Sequence, residues 1–205
     1  MRTLIFLTVS AGLFGCATSI NQKNANRYYE AGLQAESQGN WPQAREMYSR
    51  ALVNARSSGA APEYVSAVTY NLGRATGYTC DFDRAESLLR EALELEQALP
   101  KPSASNITKR WSELARLNFD QGKYEASARW YSLAVPELER MGILTIDPIG
   151  FAGYLGEQAD SEEKSGRPQQ AIAIRQRAAA IRDAAAGRSA KYVPIHFRQI
   201  CSGRK

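Results

Sequence analysis

The fold is decided by residues 39–52, which read GNWPQAREMYSRAL. A glycine and an asparagine shortly before a proline mark a tight turn, and the residues that follow have the spacing of a helix. Ala44 and Ala51 are small and lie seven positions apart, with Tyr48 between them on the same helix face. Such a face lets a second helix pack closely. If the pattern recurs, it predicts a repeat array.

The pattern recurs three more times along the chain. Its later members are Cys80, Phe82, Ala85, Leu89 and Ala92, then Gly122, Tyr124, Ser127, Tyr131 and Ala134, and more weakly Gly166, Pro168, Ala171, Arg175 and Ala178. The period is near 42 residues, since the last alanine stands at positions 51, 92, 134 and 178. The sequence therefore predicts an all-α solenoid over residues 24–186. Its four helix-turn-helix repeats cover residues 25–60, 62–99, 104–142 and 147–186.

The helix before each turn has its own pattern of large and small residues. The members are Tyr28, Ala31 and Gly32 in the first unit, Leu72 and Gly73 in the second, and Trp111, Leu114 and Ala115 in the third. With the turn pattern, these residues resemble the tetratricopeptide repeat (TPR), in which a large residue on one helix packs over small residues on the other. The resemblance implies a curved solenoid whose first helices line a peptide-binding groove.

Aromatic and cationic side chains occupy the inward positions of these first helices in the repeat alignment. The predicted groove residues are Tyr29, Tyr70, Asn71, Arg74, Lys109, Arg116 and Phe119. The cations suit a carboxylate or an acidic segment, and the tyrosines offer stacking area with little entropy loss. Two alternatives stay open: these side chains are solvated on the inner face, or the C-terminal tail covers them.

Helix boundaries follow from prolines and one cap. Proline is tolerated in the first turn of a helix, where its missing N–H has no partner anyway. The prolines predicted to begin helices are Pro42, Pro62, Pro148 and Pro168. Asp147 is a predicted N-cap. Pro136 falls inside a predicted helix, which it should kink or end early.

The N-terminus predicts export. The apolar run of residues 4–14 is too short to span a bilayer and has the length of a signal-peptide core. Leu13, Gly15 and Cys16 resemble the lipobox of bacterial lipoproteins, in which cleavage precedes a cysteine that carries acyl chains. The alternative is a plain secretory signal with a chance cysteine.

The lipobox resemblance implies a signal peptide over residues 1–15, an acylated Cys16 and a short tether over residues 16–23. Ala17 and Thr18 follow the cysteine, so no aspartate stands in the position that resembles an inner-membrane retention signal. The predicted location is therefore the bacterial outer membrane, with the protein anchored by its acyl chains and facing the periplasm.

The C-terminal tail is strongly basic. The 205-residue chain has a net charge of +5, and residues 187–205 contain no acid. The cations of this tail are Arg188, Lys191, Arg198, Arg204 and Lys205. The tail either contacts anionic headgroups, peptidoglycan or an acidic partner, or is a frayed, solvated terminus. Cys80 and Cys201 either form a disulfide in the oxidising compartment or stay unbridged.

No catalytic pattern is present in the sequence. The single histidine, His196, has no serine or cysteine nucleophile at a recognisable spacing, and neither a metal-ligand cluster nor a phosphate loop occurs. We therefore expect neither an enzyme nor a cofactor, and neither nucleic acid nor a small molecule as a partner.

The sequence favours a lipid-anchored scaffold whose groove binds a peptide segment of another envelope protein. Such a scaffold would assist assembly of a complex such as a pilus, a secretin or the outer-membrane machinery. The alternative is a structural envelope lipoprotein whose basic tail binds peptidoglycan or anionic lipid, with no groove ligand.

Overall fold

The computed structural model describes the backbone of residues 11–202 and the side chains of residues 18–201. Within this part the chain forms ten helices and no strand. They are α1 Ala11–Ser37, α2 Trp41–Ser57, α3 Pro62–Tyr78, α4 Phe82–Gln97, α5 Ala104–Asp120, α6 Tyr124–Arg140, α7 Ile143–Ile146, α8 Pro148–Lys164, α9 Pro168–Ala184 and α10 Phe197–Ser202.

Eight of these helices form four helix-turn-helix pairs: α1 with α2, α3 with α4, α5 with α6, and α8 with α9. The pairs stack in chain order, because α2 packs on α3, α4 on α5 and α6 on α8. Each pair therefore buries its apolar face mainly against its sequence neighbours, which is the arrangement of a solenoid. This confirms the predicted fold class.

The turn inside each pair is three residues long and contains one residue in the left-handed region. That residue is Gly39 with φ 68°, Gly122 with φ 76° or Gly166 with φ 84° in three of the pairs. In the second pair it is Cys80 with φ 72°, the one non-glycine residue with positive φ in the described chain. The left-handed conformation destabilises a residue that has a Cβ by about 1–2 kcal/mol. The presence of a cysteine at position 80 therefore needs a structural explanation.

Close packing within a pair depends on small residues. A Cβ on Gly32 would lie 2.5 Å from the Tyr48 ring, so only glycine leaves room for that ring. Tyr48 is completely buried. Trp41 is 9% exposed, and its ring stacks on the Tyr78 ring with centroids 4.1 Å apart. The segment that decides the fold thus supplies core residues, as its pattern predicts.

Proline positions agree with the helix starts in the structure. Pro62, Pro148 and Pro168 are the first residues of α3, α8 and α9. Pro136 does not end α6, which continues to Arg140. The amide that proline lacks would have bonded the carbonyl of Ser132, and Ser132 is exposed, so water can bond that carbonyl instead.

The predicted tether differs in the structure, since residues 17–23 belong to α1. This segment contains neither glycine nor proline, so nothing in it stops the helix. At about 1.5 Å of rise per residue it spans about 10 Å rather than the ~25 Å of an extended chain. The side chains of the predicted signal segment and of Cys16 lie outside the described residues. No helix in the described range is long and apolar enough to cross a membrane.

Candidate functional site

The C-terminal tail lies on the inner face of the solenoid, by which we mean the surface formed by the first helices α1, α3, α5 and α8. Phe197 of the tail is completely buried, and its ring lies 4.6 Å from the Tyr78 ring, centroid to centroid. A Cβ on Gly77 would lie 2.6 Å from the Phe197 ring, so this glycine makes room for it. Of the alternatives for the tail, a frayed, solvated terminus therefore does not hold for residues 195–201.

Main-chain hydrogen bonds hold the tail at three places. The Tyr78 hydroxyl donates to the carbonyl of Ile195 over 2.9 Å. The amide of Arg198 donates to Asp120 Oδ2 over 3.1 Å, and the Arg198 guanidinium donates to the Asp120 carbonyl over 2.5 Å. The amides of Lys191 and Tyr192 both donate to Asp147 Oδ2 over 3.1 Å. The tail is thus bound along α3, α5 and α8.

Asp147 accepts hydrogen bonds from three amides through its two carboxylate oxygens. Oδ1 accepts from the amide of Gly150 over 2.9 Å and caps α8, as the sequence predicts, while Oδ2 accepts from the tail. Burial favours the neutral acid, but the three N–H donors of Gly150, Lys191 and Tyr192 outweigh it and lower the pKa of Asp147. The carboxylate therefore stays charged and joins the tail to a helix end.

His196 lies between two carboxylates. Its Nδ1 is 3.7 Å from Asp120 Oδ1, and its Nε2 is 3.6 Å from Glu157 Oε1. Interaction with Asp120 and then with Glu157 raises the pKa of His196 to about 9. The ring is thus a cation at neutral pH. The single histidine of the sequence therefore joins the tail to Asp120 of α5 and Glu157 of α8.

A disulfide joins the tail to the second helix pair. Cys80 and Cys201 are bonded, with their Cα atoms 5.7 Å apart. Cys80 occupies the left-handed turn position that glycine fills in the other three pairs. The bond is a physical reason for a cysteine there, because the turn end of α3 is where α10 meets it. Of the two states that the sequence left open for these thiols, the structure contains the bridged one.

A cavity of about 690 Å³ opens on the inner face between α5, α8 and the tail. Four of the seven predicted groove residues line it: Tyr70, Arg74, Lys109 and Arg116. The rest of its lining includes the polar residues Ser112, Glu113, Asp147, Tyr154 and Glu157 and the apolar residues Met141, Ile143, Ile149 and Val193. Ser112 and Tyr154 share a hydrogen bond of 2.8 Å between their hydroxyls.

Two of the predicted groove cations already have carboxylate partners within the chain. Arg74 pairs with Glu36 over 2.5 Å and approaches Glu113 over 3.4 Å. Arg116 pairs with Glu157 over 2.9 Å. We expected Arg74 and Arg116 to pair with a carboxylate of a ligand, but in the structure both pair with glutamates of the chain itself. Lys109 differs: it is exposed, lines the cavity and has no carboxylate partner among the described residues.

The other three predicted groove residues lie outside this cavity. Asn71 donates from Nδ2 to the Tyr29 hydroxyl over 3.0 Å, so these two bind each other across the first two pairs. Phe119 packs edge-on against Tyr124 with centroids 5.3 Å apart. It also lines a smaller cavity beside the tail, with Asp120 and His196.

The sequence interpretation missed the residues that hold the tail. Tyr78 and Asp120 are the last residues of α3 and α5, one repeat period apart, and each binds the tail. The available signal was Cys80, which breaks the glycine pattern of the turns directly beside Tyr78. Among the described residues no group of histidine, cysteine, aspartate or glutamate side chains has an arrangement that could hold a metal ion.

Comparison with known proteins identifies a repeat family in the first two helix pairs. The tetratricopeptide repeat model matches residues 25–98, which cover most of α1 and all of α2, α3 and α4. No curated protein matches the chain.

Solved structures resemble the whole described solenoid. BtubC (BKLC) from P. vanneervenii superposes with a TM-score of 0.70 at 22% identity, covering 90% of this chain and 81% of that one. TPR-like repeats of a Podosopora anserina protein described as a kinesin light chain give 0.62 at 16% identity, over 84% and 85% of the two chains. The apo form of RapI gives 0.67 at 12% identity over 80% of this chain, which spans only 57% of RapI. The chain is therefore an α-solenoid in which residues 25–98 match the tetratricopeptide repeat, and its later pairs have the fold of the solved TPR-like structures.

Proposed function

We propose that this protein is a binding scaffold that takes a short segment of a partner protein into the 690 Å³ cavity between α5, α8 and the tail. Protein–protein interaction is the role that the TPR fold suggests. The single observation that carries the finer proposal is the amphipathic wall of this cavity. Its volume lies within the range of roughly 300–1,000 Å³ that is usual for ligand sites.

The chemistry of the wall defines the segment. Met141, Ile143, Ile149 and Val193 form an apolar side, and 75% of the Val193 surface is exposed. Burying such side chains against an apolar ligand gains about 25 cal/mol per Å². Lys109 also lines the cavity and has no carboxylate partner in the described chain. The favoured ligand is therefore an apolar stretch that also carries a carboxylate, either an acidic side chain or a free C-terminus.

A peptide-display selection tests this proposal. The chain from Cys16 onward is presented to a random peptide library, and we expect enrichment of apolar peptides with an acidic residue or a free carboxylate. Lys109→Glu should abolish the enrichment by charge repulsion. Lys101→Glu is the matched control, because Lys101 is exposed but does not line the cavity. Peptides that bind equally well to the Lys109→Glu variant would exclude this site.

Anchoring in the envelope is a second part of the proposal. The lipobox-like residues Leu13, Gly15 and Cys16 support it. An acylated Cys16 would keep the scaffold in the plane of the outer membrane, where it would assist assembly of an envelope complex. Labelling with radioactive palmitate in a bacterial host should mark the wild type and leave Cys16→Ser unmarked. Equal labelling of both proteins, or of neither, would refute the anchor.

The alternative role, in which the basic tail binds peptidoglycan or anionic lipid, has less support. The Arg198 guanidinium binds the Asp120 carbonyl, and Arg188 donates to the carbonyl of Thr145. Each of these bonds uses one of the five N–H donors of a guanidinium, so it restricts the direction in which the group can bind an external anion.

A further inference from the structure

The tail is bound to α3 and α5 in the manner of a peptide ligand. One carbonyl, at Ile195, accepts from the Tyr78 hydroxyl, and one amide, at Arg198, donates to Asp120. Between these two anchors a single aromatic side chain, Phe197, enters the protein and is completely buried. Main-chain bonds on either side of one inserted side chain are a common mode of peptide recognition.

The pocket for this aromatic ring is specific in shape. Gly77 leaves the space that the ring fills, because a Cβ there would lie 2.6 Å from the ring. The Tyr78 ring lies against the other side, 4.6 Å away between centroids. Phe197 belongs to the same apolar cluster as Leu114 and Leu117. Full burial of a phenylalanine is worth about 1.5–3 kcal/mol, so this pocket should select for an aromatic residue.

Three acids lie beside the pocket, although Glu157 also pairs with Arg116 and Asp160 with Arg175. Asp120, Glu157 and Asp160 line the small cavity beside the tail. The residues on either side of Phe197 are cationic: His196 lies between Asp120 and Glu157, and Arg198 binds the Asp120 carbonyl. The site therefore complements a phenylalanine with a basic residue before and after it.

We infer that this surface, the Phe197 site, made of Gly77, Tyr78, Asp120 and Glu157, is a recognition site for a partner-protein segment with a phenylalanine between two basic residues. The chain's own tail occupies the site in cis, and the Cys80–Cys201 disulfide keeps it there. The inference rests on the proposed function only in taking a protein as the partner. The Phe197 site is a different surface from the 690 Å³ cavity, because Glu157 is the one residue of these four that also lines that cavity.

The tail can be replaced because its contacts are discrete. Tyr192, Val193 and Ile195 are 59%, 75% and 50% exposed, so the stretch between the Asp147 and Tyr78 contacts covers little apolar surface. Cys80 is exposed to solvent. Once the disulfide is absent, a segment supplied in trans competes with the tail for one aromatic pocket and a few hydrogen bonds.

A thiol-trapping experiment on the full chain tests the inference. The receiver is the Cys16→Ser, Phe197→Ala, Cys201→Ser variant, in which Cys80 is the remaining thiol and the tail has lost its anchor. The probe is a synthetic peptide of residues 191–202 whose cysteine is activated as a mixed disulfide with thionitrobenzoate. The Cys80 thiolate attacks the peptide sulfur, the Cys80–peptide disulfide forms, and thionitrobenzoate leaves and is followed by its absorbance.

The site predicts that trapping depends on the phenylalanine. The wild-type peptide should react about ten- to a hundredfold faster than a scrambled peptide with the cysteine in the same place, as expected from burial of one phenylalanine. A peptide with alanine for the phenylalanine should react at the scrambled rate. Restoring Phe197 in the receiver should slow trapping, because the tail then competes in cis.

Matched glycine variants separate recognition from folding. Gly77→Ala in the receiver should remove the rate advantage of the wild-type peptide, since the new Cβ occupies the ring pocket. Gly156→Ala is the control, because nothing lies within 4 Å of a Cβ at that helical glycine. Circular dichroism should show the same helix content in both variants.

Two outcomes would overturn the inference. The first is equal trapping rates for wild-type and scrambled peptides in a receiver with native helix content. The second is a dimer of the Cys201→Ser chain that disappears in the Phe197→Ala variant, which would assign the site to the tail of a second copy. Lys109→Glu leaves this trapping unchanged, so failure here and failure of the larger cavity as a peptide site are distinguishable.

Discussion

Trp41 combines burial with ring stacking in one side chain. It is 9% exposed and lies 4.1 Å from the Tyr78 ring, which in turn contacts Phe197 of the tail. We predict that Trp41→Ala lowers the free energy of unfolding by about 3–5 kcal/mol, because it leaves a cavity and removes an aromatic contact. Denaturant unfolding measures the loss. Leu133→Ala on the exposed face of α6 is the control and should cost less than about 0.5 kcal/mol. Similar losses in the two variants would contradict this packing.

The protonation of His196 makes the free energy of unfolding depend on pH. Its pKa is about 9 in the folded protein and near 6.5 in the unfolded chain. The folded state therefore binds the proton more tightly, and this contribution is complete below pH 6.5 and is lost as the pH rises through 9. The free energy of unfolding of the wild type should fall between these values relative to that of His196→Gln. Groups other than His196 titrate in both proteins and cancel in the comparison. A difference in the free energy of unfolding that stays constant between pH 6.5 and 9 would therefore disprove the contact of His196 with Asp120 and Glu157.

At the scale of elements, Asp147 joins a helix end to the tail. Asp147→Asn keeps the cap of α8, since asparagine is an equally good N-cap. Its other polar atom, however, becomes an NH₂ group that cannot accept from the amides of Lys191 and Tyr192. We predict faster hydrogen exchange at these two amides and unchanged exchange within α8. Slow exchange retained at both amides would show that Asp147 does not hold the tail.

The helices could be predicted from sequence because their signals are local and periodic. The spacing of Ala44, Tyr48 and Ala51 and the proline positions give both the repeat and its boundaries. The tail could not be placed in this way. Its contacts with the ends of α3 and α5 include pairs 78 and 117 positions apart, namely Asp120 with Arg198 and Tyr78 with Ile195, and no periodic pattern marks such pairs.

The ion pairs on the inner face were less easy to predict from sequence than the helices and easier than the tail contacts. Arg116 and Glu157 are 41 positions apart, and Arg74 and Glu36 are 38 apart, so both distances are close to one repeat period. A search for opposite charges at that separation would have found them. Helix position alone, on which the seven predicted groove residues rest, cannot show whether a cation already has a partner.

At the scale of the whole molecule, the disulfide encloses two of the four pairs. It joins positions 121 residues apart and holds the tail beside α3. Replacing both cysteines by serine should lower the free energy of unfolding by about 2–5 kcal/mol through the larger entropy of the unfolded chain. Cys80→Gly with Cys201→Ser should recover about 1 kcal/mol of this, because glycine relieves the left-handed backbone at φ 72°.

Denaturant unfolding of the two double variants and the wild type checks these values. Cys16→Ser is the control and should match the wild type. Equal stability of the two double variants would mean that Cys80 costs nothing in its turn, and equal stability of all three proteins would mean that the bridge contributes nothing.

The Cys80–Cys201 bond also decides which helices bear a mechanical load. Tension applied between the N-terminal end and the tail would run through α1, α2 and α3 to Cys80, and then directly across the sulfurs to Cys201. Residues 81–200 in between, with a contour length of roughly 400 Å, would carry none of it. Cutting the bond would add this length to the extensible chain and expose α4 to α9 to the pull, so a single covalent link divides the solenoid into a loaded part and a shielded part.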